Sequence, residues 1–305
     1  MAKRKSGRDV HGILLLDKRL GVSSNQALQE VRRLFNANKA GHTGALDPLA
    51  TGLLPLCFGE ATKVSALMLD DDKRYQVQIQ LGVMTDTGDS EGNVVAEMPL
   101  PPLSAERLVE CLAHFTGDIE QVPPMYSALK HQGKKLYELA REGKTIERQP
   151  RPITIYDLRL LDADAESGRL TLDVFCSKGT YIRSLAEDMG HWLGSCGTVT
   201  ALRRTKAGMF DLDQAYTFDQ LQAMDGRQLQ AALIALDVPL QAMPGVSLSA
   251  ADAERVKLGQ RIAYPAERPG PVRIYSPQSF LGLGEILMDG KLAPKKLFHL
   301  DSQSA

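Results

Sequence analysis

The chain has few of the features typical of a secreted, membrane-spanning or metal-binding protein. Its 305 residues include four cysteines and one tryptophan, and aromatic residues make up only 6%. The cysteines lie far apart, with no Cys-x-x-Cys pair, which argues against a disulfide framework or a zinc site. They are Cys57, Cys111, Cys176 and Cys196. We therefore expect a reduced protein that holds no metal.

Long apolar runs and an excess of one charge are also missing. No apolar run is long enough to span a bilayer, and Met1–Lys5 is basic without the apolar stretch of a signal peptide. The 36 Lys and Arg nearly balance the 37 Asp and Glu, for a net charge of −1. A nucleic-acid partner would therefore bind local basic patches. We expect a cytoplasmic protein that does not contact membranes.

Hydrophobic periodicity predicts strands and helices in mixed order. The apolar run 12–17 predicts a buried strand, and the alternation over Tyr75–Leu81 predicts a strand with one buried face. The other predicted elements are a helix that Ser23 caps, helices over 104–115 and 180–193, and strands over 153–161 and 170–176. Because no regular βαβ repeat is present, the pattern favours an α+β fold.

Two segments differ from the rest in composition. Beyond Met243–Gly245, short apolar pieces alternate with glycine and proline, which predicts a small β-rich domain over 244–305 after a first domain over 1–243. The segment 130–151 has seven basic and three acidic residues. It is either a solvated helix hairpin or a basic arm, about 124–152, that clamps phosphates. The arm residues expected to bind RNA are Lys130, Lys134, Lys135, Arg141 and Lys144.

The stretch Gly41–Gly52 has one carboxylate, Asp47, among small, apolar and neutral residues. Its three glycines and its proline predict a loop. Asp47 is either an ordinary turn aspartate or a nucleophile or general base. His42 is the only ionisable residue close to it in sequence, so a charge from elsewhere in the chain must stabilise it.

Two distant residues are candidates to complete a site with Asp47. Arg183 lies in the first turn of a helix that we expect Thr180 to cap, and is either a surface arginine or the ion-pair partner of Asp47. Tyr75 begins its strand on the apolar face. It is either a core aromatic or a platform on which a base stacks, with a phenol available for proton transfer.

Several further residues are candidates, each with an ordinary alternative. His42 is either a loop histidine or a group that holds an extruded nucleotide, and Lys18 is either a surface lysine or a charge near the site. Arg203 and Arg204 belong to a short basic cluster suited to phosphates, and Leu202 before them is positioned to wall a base pocket. Asp89 we interpret as a turn residue rather than a partner of Arg183.

Six segments, in this order along the chain, resemble the TruB family of pseudouridine synthases. They are Leu14–Lys18 followed by Gly21–Asn25, Gly41–Gly44 through Asp47–Pro55, Lys73–Tyr75, Thr85–Asp89, Pro123–Lys130 and Gly179–Ala186. The resemblance covers about the first 210 residues, and the tail beyond Pro244 is similar, more weakly, to PUA-type RNA-binding domains. The resemblance to the TruB family implies a mixed, mostly antiparallel sheet in the first domain.

The resemblance also implies a reaction and roles for these residues. A uridine, usually uridine 55 in the TΨC loop of tRNA, is detached from its sugar, rotated and rejoined through carbon 5, without a cofactor. Asp47 matches the catalytic aspartate, Tyr75 the tyrosine stacked on the base, and Arg183 the arginine paired with the aspartate. His42, Tyr181 and Leu202 match residues around the flipped nucleoside.

Two alternatives to a stand-alone enzyme stay open. One is a non-catalytic RNA-binding or RNA-folding protein, against which the presence of Asp47, Tyr75 and Arg183 argues. The other is a guide-RNA-dependent synthase of the dyskerin type, against which the basic arm and the lack of lysine-rich tails argue. We expect a monomer that acts on the TΨC stem-loop of tRNA without a protein partner.

Overall fold

The computed structural model describes residues 7–265 and 268–300, so the basic Met1–Lys5 segment lies outside it. In these residues the strands are β1 (Gly12–Lys18), β2 (Ala40–His42), β3 (Ala50–Phe58), β4 (Lys73–Leu81), β5 (Val83–Thr85), β6 (Val94–Glu97), β7 (Gly117–Gln121), β8 (Lys130–His131), β9 (Lys134–Lys135), β10 (Arg151–Asp164), β11 (Arg169–Cys176), β12 (Gly197–Ala207), β13 (Phe210–Asp211), β14 (Tyr216–Thr217), β15 (Gly245–Ser247), β16 (Ile262–Ala263), β17 (Gly270–Tyr275), β18 (Phe280–Ile286) and β19 (Lys291–Leu297). The α-helices are α1 (Ser24–Leu34), α2 (Ser65–Leu69), α3 (Ala105–His114), α4 (Leu136–Arg141), α5 (Ile182–Trp192), α6 (Phe218–Gln222), α7 (Gly226–Ala231) and α8 (Ala250–Lys257). Short 3₁₀ helices lie at Gly59–Lys63, Leu212–Gln214 and Val238–Leu240.

A ten-stranded sheet forms the centre of the fold, in the order β14-β1-β3-β12-β4-β11-β10-β7, with β2 paired to β3 and β13 to β12. Its pairs are antiparallel except β1 with β14 and β3 with β12. The predicted mixed, mostly antiparallel α+β fold is therefore confirmed. Strand β12 lies between β3 and β4, so it joins the strand that follows the Asp47 loop to the strand that begins with Lys73 and Tyr75.

The predicted strands and helices are present, with one wrong cap. Ser23 caps α1 by accepting the backbone N–H of Gln26, and apolar residues of α1 and α5 pack on the sheet in one core cluster. The wrong prediction is Thr180 as the cap of α5. The helix begins at Ile182, Tyr181 takes the cap position without a side-chain bond, and the Thr180 hydroxyl donates to the Ser177 carbonyl instead.

The C-terminal part forms a second sheet of five strands, in the order β15-β17-β18-β19-β16, with α8 packed on it. This sheet has its own apolar cluster. Polar contacts join it to the first part of the chain, since the Tyr275 hydroxyl donates to Asp237 at 2.6 Å and Lys63 Nζ donates to the Leu297 carbonyl at 2.8 Å. The β-rich character predicted for this region is confirmed.

The segment 130–151 contains a small hairpin, β8–β9, followed by the single short helix α4. Leu136 and Leu139 are buried, whereas Lys130, Lys134, Arg141 and Lys144 are exposed. The arm is thus a hairpin followed by a short helix, with most of its cations exposed. In the described residues, no helix is both long and apolar enough to cross a membrane.

Candidate active site

Asp47 lies in a short loop between two paired strands. Strands β2 and β3 take up both ends of the stretch predicted as a loop, so only residues 43–49 connect them. The backbone N–H of Ala50 donates to the Asp47 carbonyl at 3.0 Å, which closes a turn around the carboxylate. The loop was predicted too long because β2 is only three residues and contains a glycine.

The Ser24 side chain at the start of α1 and the backbone of Gly21 hold this loop on both sides of Asp47. The buried Ser24 hydroxyl accepts the N–H of Leu46 at 2.7 Å and donates to the Leu46 carbonyl at 2.9 Å. The N–H of Gly21 donates to the Pro48 carbonyl at 2.9 Å. Because both neighbours of Asp47 are bonded, the stretch of backbone that carries the carboxylate is held in place.

Lys18 forms the base of the same region. It ends β1 and is completely buried, so the expectation of a surface lysine is wrong and that of a charge near the site holds. Its ammonium donates to the carbonyls of Val22 at 2.7 Å and Pro48 at 3.4 Å. Burial lowers the pKa of Lys18 to about 8, against the opposing charges of Glu91 and Asp47.

The ion pair predicted between Asp47 and Arg183 is present. Arg183 Nε lies 3.0 Å from Asp47 Oδ2, and 43% of the Asp47 side chain stays accessible against 8% of Arg183. Burial raises the pKa of Asp47 above its usual value, while the Arg183 guanidinium opposes that shift. The carboxylate is therefore open to a ligand on one side and held by a buried cation on the other.

The Arg183 guanidinium joins three segments of the chain. Besides Asp47, it donates from Nη1 to the Thr87 carbonyl at 2.8 Å and from Nη2 to the Tyr126 carbonyl at 2.7 Å. Thr87 belongs to the turn after β5, and Tyr126 lies where the basic arm begins. Such a planar fork can satisfy several acceptors at once, which the single ammonium of a lysine cannot do in the same way.

The position of Arg183 depends on two residues that the sequence analysis missed. The buried Gln121, at the end of β7, accepts the N–H of Tyr181 at 2.8 Å and donates to the Tyr181 carbonyl at 3.0 Å. Ser184 donates to the Val122 carbonyl at 3.0 Å. These bonds hold the first turn of α5 against the strand before the arm. A glutamine that ends an alternating strand gives no local sign of this role.

Tyr75 faces the same side of the sheet as Arg204, its direct partner across β4 and β12. Tyr75 is half-buried, and burial raises the pKa of its phenol against the nearby positive charge of Arg204. The expectation that Arg204 contacts phosphates is wrong, because its side chain is 1% exposed and donates to the carbonyls of Leu53 and Gly44. Because alternate residues of β12 face opposite sides of the sheet, the Arg204 side chain points into the protein interior.

The other pocket candidates lie around these groups. Leu202, two residues before Arg204, shares its face and pairs with Ala50 at the end of the Asp47 loop. His42 ends β2, burial lowers its pKa, and its buried Nδ1 has no hydrogen-bond partner within the described residues. Tyr181 is half-buried beside Ser127 in the segment before the arm, and burial raises the pKa of its phenol.

The remaining candidates, Arg203 and Asp89, lie at the margin of the candidate site. Arg203 points away from Arg204 and forms a two-bond ion pair with Asp17, at 3.0 and 2.7 Å. Asp89 accepts the Thr87 hydroxyl at 2.8 Å and the Glu91 N–H at 3.1 Å. Both bonds lie within the turn, in agreement with the interpretation of Asp89 as a turn residue, and the described part of the chain has no ion pair between Asp89 and Arg183. Its negative charge helps to raise the pKa of Asp47.

Three family models match successive parts of the chain. The TruB family pseudouridylate synthase N-terminal domain matches residues 32–182, the tRNA pseudouridylate synthase B C-terminal domain matches 183–241, and the C-terminal model of pseudouridine synthase II TruB matches 244–298. The first model contains the Asp47 loop and Tyr75, and Arg183 is the first residue of the second.

Whole-length comparisons agree with these models. The chain is 50% identical to tRNA pseudouridine synthase B of Chromohalobacter salexigens, covering 99% of each chain, and 49% identical to that of Mannheimia succiniciproducens, covering 97% of this chain and 99% of the other. Its fold is similar to a chain in the crystal structure of a Cbf5–Nop10–Gar1 complex, with a TM-score of 0.71, 21% identity, and coverage of 98% of this chain and 91% of that one. The chain belongs to the TruB family of pseudouridylate synthases.

Proposed function

We propose that this chain converts uridine to pseudouridine in tRNA, at uridine 55 of the TΨC loop. The observation that carries the proposal is the ion pair of 3.0 Å between Asp47 and Arg183 on the sheet face that also carries Tyr75. A partly accessible carboxylate beside a buried arginine is suited to reaction with a substrate rather than to holding a turn. Relatives about 50% identical over the whole chain are named tRNA pseudouridine synthase B.

The reaction is an isomerisation and uses no cofactor. The target uridine leaves the base stack and enters the pocket, where stacking on Tyr75 offsets part of the few kcal/mol that extrusion requires. The bond between C1′ and N1 breaks and a bond between C1′ and C5 forms, while C5 loses a proton and N1 gains one. Asp47 attacks the sugar, adds to the base or removes a sugar proton; each role needs its ionised form. His42, Tyr181 and Leu202 surround the nucleoside.

The basic arm, about 124–152, is the proposed clamp on the tRNA. Its exposed cations Lys130, Lys134, Arg141 and Lys144, with the half-buried Lys135, contact phosphates. The Arg183 guanidinium bonds both the Tyr126 carbonyl and the Asp47 carboxylate, so one residue links the start of this arm to the proposed catalytic group. In this proposal the enzyme is a cytoplasmic monomer of two domains, 1–243 and a PUA-like 244–305, and needs no protein partner.

Purified protein and a bare TΨC stem-loop test the proposal. We expect pseudouridine at the target position with the unaltered protein, none with Asp47→Asn, and similar RNA binding for both. Asp162→Asn, an exposed aspartate on β10, is the matched control and should stay active. Binding without product would favour the non-catalytic RNA-binding alternative, and product only with a guide RNA would favour the dyskerin-type alternative.

A further inference from the structure

Two buried cations lie next to Tyr75 without a carboxylate partner. Arg204 is 1% exposed and Lys73 8% exposed. Arg204 donates to the carbonyls of Leu53 at 2.7 Å and Gly44 at 2.9 Å, and Lys73 donates to the carbonyls of Leu69 and Asp71. Within the described ranges neither forms an ion pair, whereas the neighbouring cations Arg183 and Arg203 both do.

A buried charge with no carboxylate in direct contact is costly to keep in a folded protein, even though the nearby charges of Asp71 and Asp72 act to raise the pKa of Lys73. Buried cations are normally paired with carboxylates, because desolvation of the charge is otherwise only partly offset. Here the two charges also repel each other, since Arg204 helps burial to lower the pKa of Lys73. An apolar residue would fill either position at less cost, so the retained charges favour a role in which an anion enters the site.

Both cations lie on the wall that the proposed base pocket shares with the Asp47 loop. Lys73 precedes Tyr75 by two residues on β4, so both face one side of the sheet, and Arg204 lies directly opposite Tyr75 on β12. Gly44 of the loop lies between them. A Cβ built on Gly44 would be 3.4 Å from Arg204 Nη1 and 4.0 Å from Lys73 Cε.

We propose that Lys73 and Arg204 stabilise the negative charge that builds on the uracil ring when its bond to C1′ breaks. The electron pair of the C1′–N1 bond stays on the ring, where N1 and the two carbonyl oxygens share it. It forms the new C1′–C5 bond in the second half of the reaction, and the C5 proton is then lost as N1 takes one up. The inference rests on the proposed function and holds for each role of Asp47, because the ring becomes anionic in all three.

Lys73 and Arg204 act as positioning residues in this proposal: both act through their positive charge, and Arg204 also holds Gly44 through its carbonyl. Fixed charges that are themselves buried, as these two are, act more strongly than charges in solution and need no rearrangement as the anion forms. The field favours the separated anionic ring over the bound uridine. Loss of one charge should therefore slow bond breaking more than it weakens RNA binding.

Paired variants of Lys73 separate charge from hydrogen bonding. Lys73→Gln keeps a donor for the carbonyls but no charge, and Lys73→Arg keeps the charge. Each is tested in single turnovers with saturating enzyme on stem-loops that carry uridine or 5-fluorouridine at the target. Digestion of the RNA and chromatography measure how fast the N-glycosidic nucleoside disappears. Fluorine at C5 withdraws electrons and so makes the ring a better anion without help from the protein.

We expect Lys73→Gln to slow the uridine substrate by about tenfold, less than the loss of a direct oxyanion donor. The rate with the 5-fluorouridine substrate should fall clearly less, so the rate with 5-fluorouridine divided by the rate with uridine rises. Lys73→Arg should return this ratio to the value of the unaltered protein. Lys63→Gln is the control: Lys63 bonds the Leu297 carbonyl of the second sheet and pairs with Glu60, so its loss should leave the ratio unchanged.

An equal slowing of both substrates, or none, would overturn the inference and leave the proposed function intact. Absence of pseudouridine with the unaltered protein would instead overturn the proposed function. The pair Arg204→Gln and Arg204→Lys gives the same comparison, so a failure of one Lys73 variant to fold leaves the test available. Thermal melts identify the folded variants.

Discussion

Replacing Arg183 by lysine keeps a positive charge beside Asp47 but removes the fork that joins three segments. The guanidinium donates to Asp47, to the Thr87 carbonyl at 2.8 Å and to the Tyr126 carbonyl at 2.7 Å. A hydrogen bond to a charged group contributes about 1.5–3 kcal/mol, so two lost bonds amount to about 3–6 kcal/mol. Water that reaches the half-buried Tyr126 offsets part of this. We expect Arg183→Lys to lower the free energy of unfolding by about 2–4 kcal/mol.

Urea denaturation at neutral pH measures that loss, and the pH dependence of the single-turnover rate measures the electrostatic role. In the proposed mechanism Asp47 acts in its ionised form, so we expect activity to fall as the pH falls through its pKa. Arg183 is the main charge that opposes the raised pKa of Asp47. Arg183→Met should therefore move the acid limb of the rate profile to higher pH, whereas Arg183→Lys should leave it nearer to the original position.

The matched control is Arg203→Lys: Arg203 pairs with Asp17 rather than with Asp47, so this variant should leave the acid limb unchanged. Unchanged stability in Arg183→Lys would refute the inference that the three bonds join the segments. An acid limb that stays in place in Arg183→Met would refute the assignment of this limb to Asp47.

Four further predictions follow from the site and its surroundings. Because burial raises the pKa of Asp47 in the folded state, ionisation of this carboxyl weakens folding. Wild-type stability should therefore fall as the pH rises from the pKa of Asp47 in the unfolded chain to its pKa in the folded protein. Urea melts should show Asp47→Asn at least as stable as the wild type at neutral pH. Ser24→Ala leaves the N–H and carbonyl of Leu46 without partners, so it should lower the free energy of unfolding by about 1–3 kcal/mol and lower kcat more than it raises KM. Its control, Ser23→Ala, removes only the α1 cap and should lower the free energy of unfolding by about 1 kcal/mol. Asp188, half-buried on α5 with its pKa raised to about 6, should make wild-type stability fall as the pH rises from about 4 to about 6, and calorimetry should find no such fall in Asp188→Asn. Neutralising the arm should reduce the slope of log binding constant against log salt by about one unit per lost phosphate contact, and an unchanged slope would make the arm a solvated surface; the positions are Lys134, Lys135, Arg141 and Lys144.

The sequence predicted the elements of the fold better than the environment of individual side chains. The alternation over Tyr75–Leu81 and the apolar run of β1 report burial directly, because each residue of a strand faces one side of a sheet. The ion pair between Asp47 and Arg183 followed from a lone carboxylate that needed a cation and from the family resemblance. Which strand lies opposite which is a non-local property, so the contact between Tyr75 and Arg204 had no local signal.

The errors have physical causes as well. Arg204 was expected on the surface because a run of basic residues usually is, yet alternate residues of β12 face opposite sides and Arg204 takes the inner one. Lys18 ends an apolar strand and looked equally suited to either side. Ser24 and Gln121 act through backbone groups of other segments, Leu46 and Tyr181, and residue type alone does not predict such partners.

The place of β12 between β3 and β4 has a consequence for how the protein is made. Synthesis from the N-terminus produces both β3 and β4 long before residues 197–207, so a growing chain has two unpaired strand edges where its centre will be. Arg183 also emerges more than a hundred residues after Asp47. A nascent chain that stops before Gly197 therefore has neither a closed sheet nor a wall behind Tyr75, and the proposed base pocket is complete only once the first two-thirds of the chain has been made.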